Sequence, residues 1–169
     1  MKLEKGLTHI YTGEGKGKTS ISLGTALRAA RYGLKVCFVQ FMKSDIEEKT
    51  LKQIPVEYKC FGQKKWVYKD NIKEEDKELA QQGLKFAEQI MDKYDVIILD
   101  EIILATWFGL LDEKDLLELI EKKPEPVELI LTGRNAGKVL IDKADYVSEI
   151  KKVKHPYDKG ILAREGIDY

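Results

Sequence analysis

The chain has 169 residues, of which 43% are hydrophobic and 34% charged, proportions typical of one globular domain spanning 1–169. Its 29 basic residues balance its 29 acidic ones, so no overall field attracts nucleic acid or an anionic membrane, and neither is predicted as a partner. No apolar stretch reaches the roughly 18 residues of a membrane span, and no signal peptide is evident. Two cysteines are too few for a disulfide framework, so the cytoplasm is the expected location.

Apolar runs alternate with segments of helical period, a pattern that predicts an α/β fold with a mostly parallel sheet and helices on both faces. The predicted strands cover 7–11, 34–41, 56–61, 95–99, 127–131 and 146–150. The predicted helices cover 18–32, 74–93, a segment capped by Asp112 that stops before Pro124, and a short segment ending near 143. Residues 44–54 are expected to form a loop or short helix and 62–71 a loop, while the polar tail from 151 has no clear periodicity.

The first helix is expected to bury an apolar face and to end at Gly33, a residue that tolerates the left-handed conformation of a helix stop. The residues predicted on this face are Ile21, Leu23, Ala26, Leu27 and Ala30. In the following strand, Cys37 lies within the apolar run VCFVQF and is expected to be a buried thiol of the core.

The segment TGEGKGKTS, residues 12–20, lies between the first strand and the first helix, which is the context of a phosphate-binding loop. It departs from the rule G-x-x-x-x-G-K-[ST] because Thr12 takes the first glycine position and the glycine follows at Gly13. Glycines let backbone N–H groups converge on an anion, and the helix adds the positive end of its dipole. Lys18 would bridge phosphate oxygens, Lys16 would add a cation, and the Thr19 hydroxyl would reach a magnesium ion.

Two further strands end in polar residues at the same predicted edge of the sheet. VIILDE, residues 96–101, delivers Asp100 and Glu101, either of which can hold magnesium directly or through water, or can instead form a structural ion pair. Thr132-Gly133-Arg134 ends the next strand, where Arg134 would brace a triphosphate or lie on a surface turn. His155 is one of two histidines, and a lone histidine is more often structural than functional. By themselves, these residues predict an enzyme that binds magnesium and a nucleotide, and they do not identify its second substrate.

These segments resemble the ATP:corrinoid adenosyltransferases that make adenosylcobalamin in bacteria. The resemblance is carried by TGEGKGKTSISLGTALRAA, GLKVCFVQFMK, VIILDE, LILTGRN and VKHPYDKGILAREGIDY, and covers nearly the whole chain. The late-glycine loop TGxGKGKT and the tail KHPxDxGxxAxxGI are far more specific than a generic P-loop motif.

The resemblance implies a RecA-like P-loop fold that acts as a homodimer in adenosylcobalamin biosynthesis or salvage. The implied reaction transfers the 5′-deoxyadenosyl group of ATP to Co(I) of a corrinoid and releases triphosphate, with Mg2+ or Mn2+ as cofactor. An electron-donating flavoprotein or other reductase would supply the reduced cobalt. The implied substrate is cob(I)alamin, cob(I)yrinic acid a,c-diamide or another corrinoid. Longer family members carry a segment before the first strand that covers the corrinoid, whereas only about six residues precede it here.

The resemblance also implies roles for individual residues. The implied ATP contacts are Gly13, Glu14, Gly15, Lys16, Gly17, Lys18, Thr19, Ser20, Arg28 and Arg134. Thr19 and Glu101 match the metal positions, with Asp100 beside them, and Lys18 and Glu101 are the implied catalytic residues. The implied corrinoid contacts are Trp66, Phe61 and His155. The family uses a pair of aromatic side chains to displace the lower cobalt ligand; Trp66 matches one, and the other falls near Lys64, with Phe61 the nearest phenylalanine.

Other functions remain open at this stage. A RecA-like NTPase would hydrolyse ATP, with Glu101 polarising water, and would release orthophosphate. A non-catalytic carrier of adenosylcobalamin would have little use for a complete phosphate loop and acidic pair. A thymidine-kinase-like role is disfavoured because the zinc-ligand cysteines common in that group are missing.

Overall fold

The computed structural model describes residues 3–43, 47–64 and 67–168. The strands within this part are β1 (Thr8–Thr12), β2 (Val36–Phe41), β3 (Val56–Phe61), β4 (Val96–Asp100), β5 (Glu128–Thr132) and β6 (Tyr146–Glu149). The α-helices are α1 (Lys18–Arg31), α2 (Glu48–Leu51), α3 (Glu74–Ile90), α4 (Ile102–Trp107), α5 (Glu113–Glu121) and α6 (Lys138–Lys143), and a 3₁₀ turn covers Pro156–Lys159. All six predicted strands are present; β3 has the predicted bounds, and the ends of the other five differ by at most two residues.

The six strands form one sheet in the order β3-β2-β4-β5-β1-β6. Every pairing in it is parallel, as the alternating sequence pattern predicts. All strands therefore end at the same edge of the sheet, which is where open α/β sheets bind their ligands. The loops that follow β1, β2, β4 and β5 meet at this edge.

Helices cover both faces of the sheet, and two buried clusters result. On one face α3, α4, α5 and α6 pack against residues such as Ile97 and Leu99, and on the other α1 and α2 pack against Val96 and Ile98. Alternate residues of β4 thus point into opposite clusters, which explains why the strand is apolar at every position before its final aspartate. Cys37 is fully buried in this core as predicted, and burial raises the pKa of its thiol to about 12.

The apolar face predicted for α1 is wrong at two positions. Ile21 and Leu27 are 41% and 45% exposed, because the helix contacts the sheet through Ser22 and through the small side chains Ala26, Ala29 and Ala30. Small residues let the helix lie close to the strands, so the buried stripe is set by size as well as by hydrophobicity.

The predicted stop of α1 at Gly33 is confirmed. Gly33 has a φ of 81°, and the N–H groups of Gly33 and Leu34 donate to the carbonyls of Ala30 and Ala29 at 3.0 and 3.1 Å. This pair of bonds is the Schellman arrangement, which satisfies helix carbonyls that would otherwise lack donors.

Helix α4 was not predicted, and the cap of α5 differs from the expectation. The apolar run that begins at Ile102 continues the strand pattern of β4, but the left-handed backbone of Glu101, with a φ of 64°, turns the chain directly into a helix. Asp112 precedes α5 as expected, yet its side chain makes no capping hydrogen bond.

Two helical glycines give a matched test of the packing. A Cβ atom on Gly83 in α3 would lie 2.7 Å from the Phe41 ring, whereas one on Gly24 in α1 would meet nothing within 4 Å. We expect Gly83→Ala to lower the free energy of unfolding by about 1–3 kcal/mol through overpacking. Gly24→Ala should raise it by about 0.5–1 kcal/mol because alanine is the better helix former. Urea unfolding of both variants measures the difference, and equal effects would contradict the packing of α3 on Phe41.

Candidate functional site: a phosphate loop with an acidic strand end

The loop after β1 turns at Gly13 because Thr12 is still part of the strand. The Thr12 carbonyl accepts a hydrogen bond from the Ile150 N–H at 2.8 Å, and the Thr12 hydroxyl accepts one from the Ala136 N–H at 3.2 Å. Gly13 then has a φ of 102°, and a Cβ there would lie 2.5 Å from the Ile150 carbonyl. Glycine is therefore required at 13 by both conformation and space, which accounts for the displacement of the motif by one residue.

Lys18 is folded back into the phosphate loop. Its Nζ donates to the carbonyls of Gly13 and Gly15 at 2.7 and 2.9 Å, and the residue is buried. Burial, the largest influence, lowers the pKa of Lys18, while Glu101 acts in the opposite direction. The ammonium thus joins two carbonyls of the loop beside the first turn of α1, where a cation and helix N–H groups together suit phosphate oxygens.

Asp100, at the end of β4, is fully buried and fully hydrogen-bonded. It accepts from the Thr132 hydroxyl at 2.7 Å, the Gln40 amide at 3.1 Å and the Thr19 hydroxyl at 3.3 Å. Four elements are joined through this one carboxylate, since Gln40 lies on β2, Thr132 on β5 and Thr19 on α1. Asp100 therefore fixes the relative positions of the strand ends that build the site.

Glu101 differs from Asp100 in having an oxygen without a partner. Its side chain is 12% exposed, and its Oε2 atom is buried with no hydrogen-bond partner among the described residues. The left-handed backbone at this residue turns the side chain towards the loop after β1, where it joins the cavity lining. A buried carboxylate oxygen without a donor is well suited to bind a cation.

Lys43, which sequence reasoning missed, lies among the acidic residues. Its Nζ is 3.1 Å from Glu101 Oε1, 3.6 Å from Asp100 Oδ2 and 3.4 Å from the Thr19 hydroxyl. Burial alone would lower the pKa of Lys43, but Asp100 and Glu101 outweigh it and raise the pKa above its usual value. Lys43 follows the carboxyl end of β2, so the edge rule that pointed to Asp100 and Arg134 applied to it as well.

A divalent cation fits this part of the site as a ligand shared with a nucleotide. Among the described residues no group of three or more His, Cys, Asp or Glu side chains is arranged to hold a metal ion. Mg2+ commonly binds through one or two carboxylates, with phosphates and water completing its shell. Glu101, with its free oxygen, and the Thr19 hydroxyl supply such an incomplete set, whereas the Asp100 oxygens are already engaged.

Arg134 and Glu14 lie at the mouth of the loop, where the Arg134 guanidinium donates to the Glu14 carboxylate at 3.0 Å. Both side chains are half exposed. Arg28 lies elsewhere, exposed in the last turn of α1, ten residues beyond Lys18. At 1.5 Å of rise per residue this places it about 15 Å along the helix from the loop, so it does not line the cavity within one chain.

The tail closes over the phosphate loop. The Lys16 Nζ is 2.9 Å from an Asp168 oxygen and donates to the Ile167 carbonyl at 2.9 Å. Arg164 also pairs with Asp168, at 3.0 Å. A cavity of about 610 Å³ results, lined by loop residues 14–20 and by tail residues between 151 and 168. Its size lies within the range of small-molecule sites.

The predicted corrinoid contacts lie in different places. His155 lines the cavity, but its Nδ1 accepts a hydrogen bond from the Tyr157 N–H at 3.2 Å and so starts the 3₁₀ turn. Phe61 ends β3, where its ring packs against Phe41 and Phe86 at centroid distances of 6.5 and 5.5 Å. Trp66 lies outside the described residues, and its role stays a prediction.

The contact between Lys16 and Asp168 predicts the pKa of the tail carboxyl. Hydrogen bonds from Lys16 and then Arg164 lower the pKa of Asp168 well below its ordinary value. The stability that this pairing contributes is present above the ordinary carboxyl pKa of about 3.9 and is lost as pH falls through the lowered pKa. We expect Lys16→Met to raise the pKa of Asp168, measured by NMR titration of its carboxyl carbon. Lys152→Met, which removes the partner of Asp158, is the control, and an unchanged Asp168 pKa in Lys16→Met would contradict the contact.

The all-parallel sheet with a phosphate loop at its carboxyl edge makes this chain a RecA-like P-loop protein. A crystal structure of a KaiC-like protein from Pyrococcus horikoshii OT3 superposes with a TM-score of 0.58 at 20% identity, covering 89% of this chain and 74% of that one. The flagellar accessory protein FlaH from Methanocaldococcus jannaschii gives a TM-score of 0.54 at 16% identity, with 88% and 72% covered. These similarities concern the fold alone.

The family follows from the sequence match. Residues 4–169 match the family model described as ATP:corrinoid adenosyltransferase BtuR/CobO/CobP. The Corrinoid adenosyltransferase of Pseudomonas aeruginosa is 34% identical over 98% of this chain and 85% of that protein, and the Corrinoid adenosyltransferase of Escherichia coli K12 is 31% identical over 98% and 87%. The chain belongs to the ATP:corrinoid adenosyltransferase family, as its sequence motifs predict.

Proposed function

We propose that this protein transfers the 5′-deoxyadenosyl group of ATP to the reduced cobalt of a corrinoid and releases triphosphate. The observation that carries the proposal is the family match over residues 4–169, together with a complete phosphate loop at the sheet edge. In the proposed reaction Co(I) attacks C5′ of the ribose, a Co–C bond forms, and the C5′–O bond breaks. The electron pair of that bond leaves with the triphosphate.

The protein supplies positions and charges for this reaction, because the Co(I) substrate is itself the nucleophile. We propose that the triphosphate, which gains charge as it leaves, is held by Lys18 and by the backbone N–H groups of residues 13–18 other than that of Gly15. The Gly15 N–H already donates to the Ile150 carbonyl. Thr19 and Glu101 are proposed to hold Mg2+ or Mn2+, and such an ion would neutralise part of that charge. Alignment of C5′ with the cobalt is the remaining contribution of the cavity.

The corrinoid is proposed to approach the open side of the same cavity. His155 lies in its wall, which supports a contact, and the segment around Trp66 is the proposed aromatic contact. Phe61 is partly buried against the core, so only the remaining exposed part of its ring is available for a contact. Competition between cobalamin and an earlier corrinoid such as cobyrinic acid a,c-diamide would identify the preferred substrate.

We also propose a homodimer, a reductase partner and a cytoplasmic location. Ile21 and Leu27 are exposed apolar residues on α1, which supports a contact with another chain. Cys37 is a buried free thiol of the core, consistent with a reducing compartment. In the described part of the chain, no helix has the length and hydrophobicity needed to cross a bilayer.

The direct test is incubation with ATP, Mg2+ and chemically reduced cobalamin. We expect triphosphate and a light-sensitive Co–C chromophore to accumulate in equal amounts. Orthophosphate without the chromophore would contradict the proposal and favour the RecA-like NTPase, in which Glu101 polarises water. Binding of adenosylcobalamin without turnover of ATP would favour a carrier.

A further inference from the structure

Lys43 lies beside the position at which a divalent cation is proposed to bind. Its ammonium lies 3.1 Å from Glu101 Oε1 and 3.4 Å from the Thr19 hydroxyl, the two groups assigned above to the metal. It also lies 3.6 Å from Asp100. The inference below rests on that proposed metal role.

The backbone from which Lys43 emerges is held firmly. Its N–H donates to the Phe41 carbonyl at 2.7 Å, its carbonyl accepts from the Cys60 thiol at 2.9 Å, and Met42 before it is left-handed with a φ of 62°. A Cβ on Gly62 would clash with the Lys43 backbone, so β3 also packs against this turn. The side chain is only 15% exposed. The ammonium is therefore held at a fixed position within the site.

The local charges explain why a cation is needed there. Asp100, Glu101 and the buried Glu47 all act on Lys43, and Lys18 is a second cation near Glu101. Without Lys43 the carboxylates would face one another in a poorly solvated space, which is unfavourable. An ammonium and a divalent ion, however, repel strongly at separations of a few ångströms, so an ammonium on one oxygen of Glu101 opposes a divalent ion on the other.

We propose that Lys43 is a resident counter-ion that holds the metal position in the nucleotide-free protein and yields it when the metal arrives with ATP. The ammonium neutralises the carboxylates and so opposes binding of the free divalent ion. The triphosphate brings negative charge and further oxygen ligands, which shift the balance towards the metal. Lys43 thereby makes metal binding depend on the nucleotide, and it is a positioning residue for the reaction.

The test is a titration of Mn2+ followed by EPR, in the absence and presence of ATP. Without ATP we expect wild type to bind Mn2+ weakly and Lys43→Met to bind it roughly tenfold tighter or more. Lys43→Arg keeps the cation and should behave as wild type. Lys77→Met, which removes an equal charge from the exposed surface of α3, should also leave the affinity for the free ion unchanged.

Thermal unfolding gives a second readout that does not depend on turnover. Lys43→Met should melt below wild type in EDTA, and Mn2+ should raise its melting temperature more than that of wild type. If Lys43→Met does not fold, Lys43→Gln replaces it, because the glutamine amide still donates hydrogen bonds and carries no charge.

The outcomes separate this inference from the proposed function. Suppose that wild type binds Mn2+ in the presence of ATP. The role of Lys43 is then refuted, and the proposed function is not, if Lys43→Met and wild type bind the free ion equally. It is refuted in the same way if wild type binds Mn2+ equally tightly with and without ATP. If Mn2+ does not bind even with ATP, the proposed metal ligands are wrong and the inference fails with them.

Discussion

We expect Lys18→Ala to lower the rate of adenosyl transfer by roughly 10²–10³-fold, the range found when one preorganised charge-stabilising group is removed from an active site. The lysine is buried at the centre of the loop and already satisfies two of its carbonyls. Its removal leaves the departing triphosphate without the nearest fixed cation. The measurement is the formation of the Co–C chromophore with pre-reduced cobalamin at saturating ATP.

Lys16→Ala is the matched control for Lys18→Ala because both lysines belong to the same loop. Lys16 is half exposed and already paired with Asp168, so its loss should lower the rate much less. The melting temperatures of both variants report whether the fold is kept. Equal losses of activity, or full activity of Lys18→Ala, would refute the role proposed for Lys18.

We expect Asp100→Ala to lower the free energy of unfolding by about 3–5 kcal/mol, the usual effect of removing one partner from a buried ionic network. The substitution leaves Thr132 and Gln40 without their acceptor and removes one of the carboxylates around Lys43. Unfolding in guanidinium or urea measures the change, with the dependence of the free energy of unfolding on denaturant concentration held equal for both proteins.

Asp142→Ala provides the comparison for Asp100→Ala. Asp142 pairs with Lys138 at 3.0 Å on the surface of α6, and exposed pairs of this kind contribute at most about 1 kcal/mol. If Asp100→Ala loses no more free energy of unfolding than Asp142→Ala, the hydrogen bonds to Asp100 do not hold the site together.

The strands and the phosphate loop could be predicted because their signals are local. The apolar run before Asp100 has the length of a buried strand, and TGEGKGKTS contains the glycines that its turn requires. The location of the acidic residues was likewise predictable, because the end of a parallel strand fixes the edge of the sheet at which Asp100 and Glu101 lie. The sequence did not reveal how differently the two carboxylates are satisfied, since their partners come from three other elements.

Other features depend on contacts between distant residues. The position of Lys43 after a strand marked it as a candidate for the sheet edge, but its contact with Glu101 depends on the pairing of β2 with β4. The contact of Lys16 with Asp168 joins opposite ends of the chain, and the polar tail has no periodicity that predicts where it folds. In α1 the exposed positions Ile21 and Leu27 followed the expected period, but the close approach of the helix to the sheet favoured smaller residues.

The bond between the loop after β1 and the residue after β6 has a consequence for biosynthesis. The Gly15 N–H donates to the Ile150 carbonyl at 2.7 Å, and β6 itself pairs with β1. Because Gly15 precedes strands β2 to β6, this loop is translated well before its supporting partner at Ile150. A nascent chain arrested before position 150 therefore lacks one wall of the cavity beside the loop, and capture by immobilised ATP should begin only after β6 has left the ribosome.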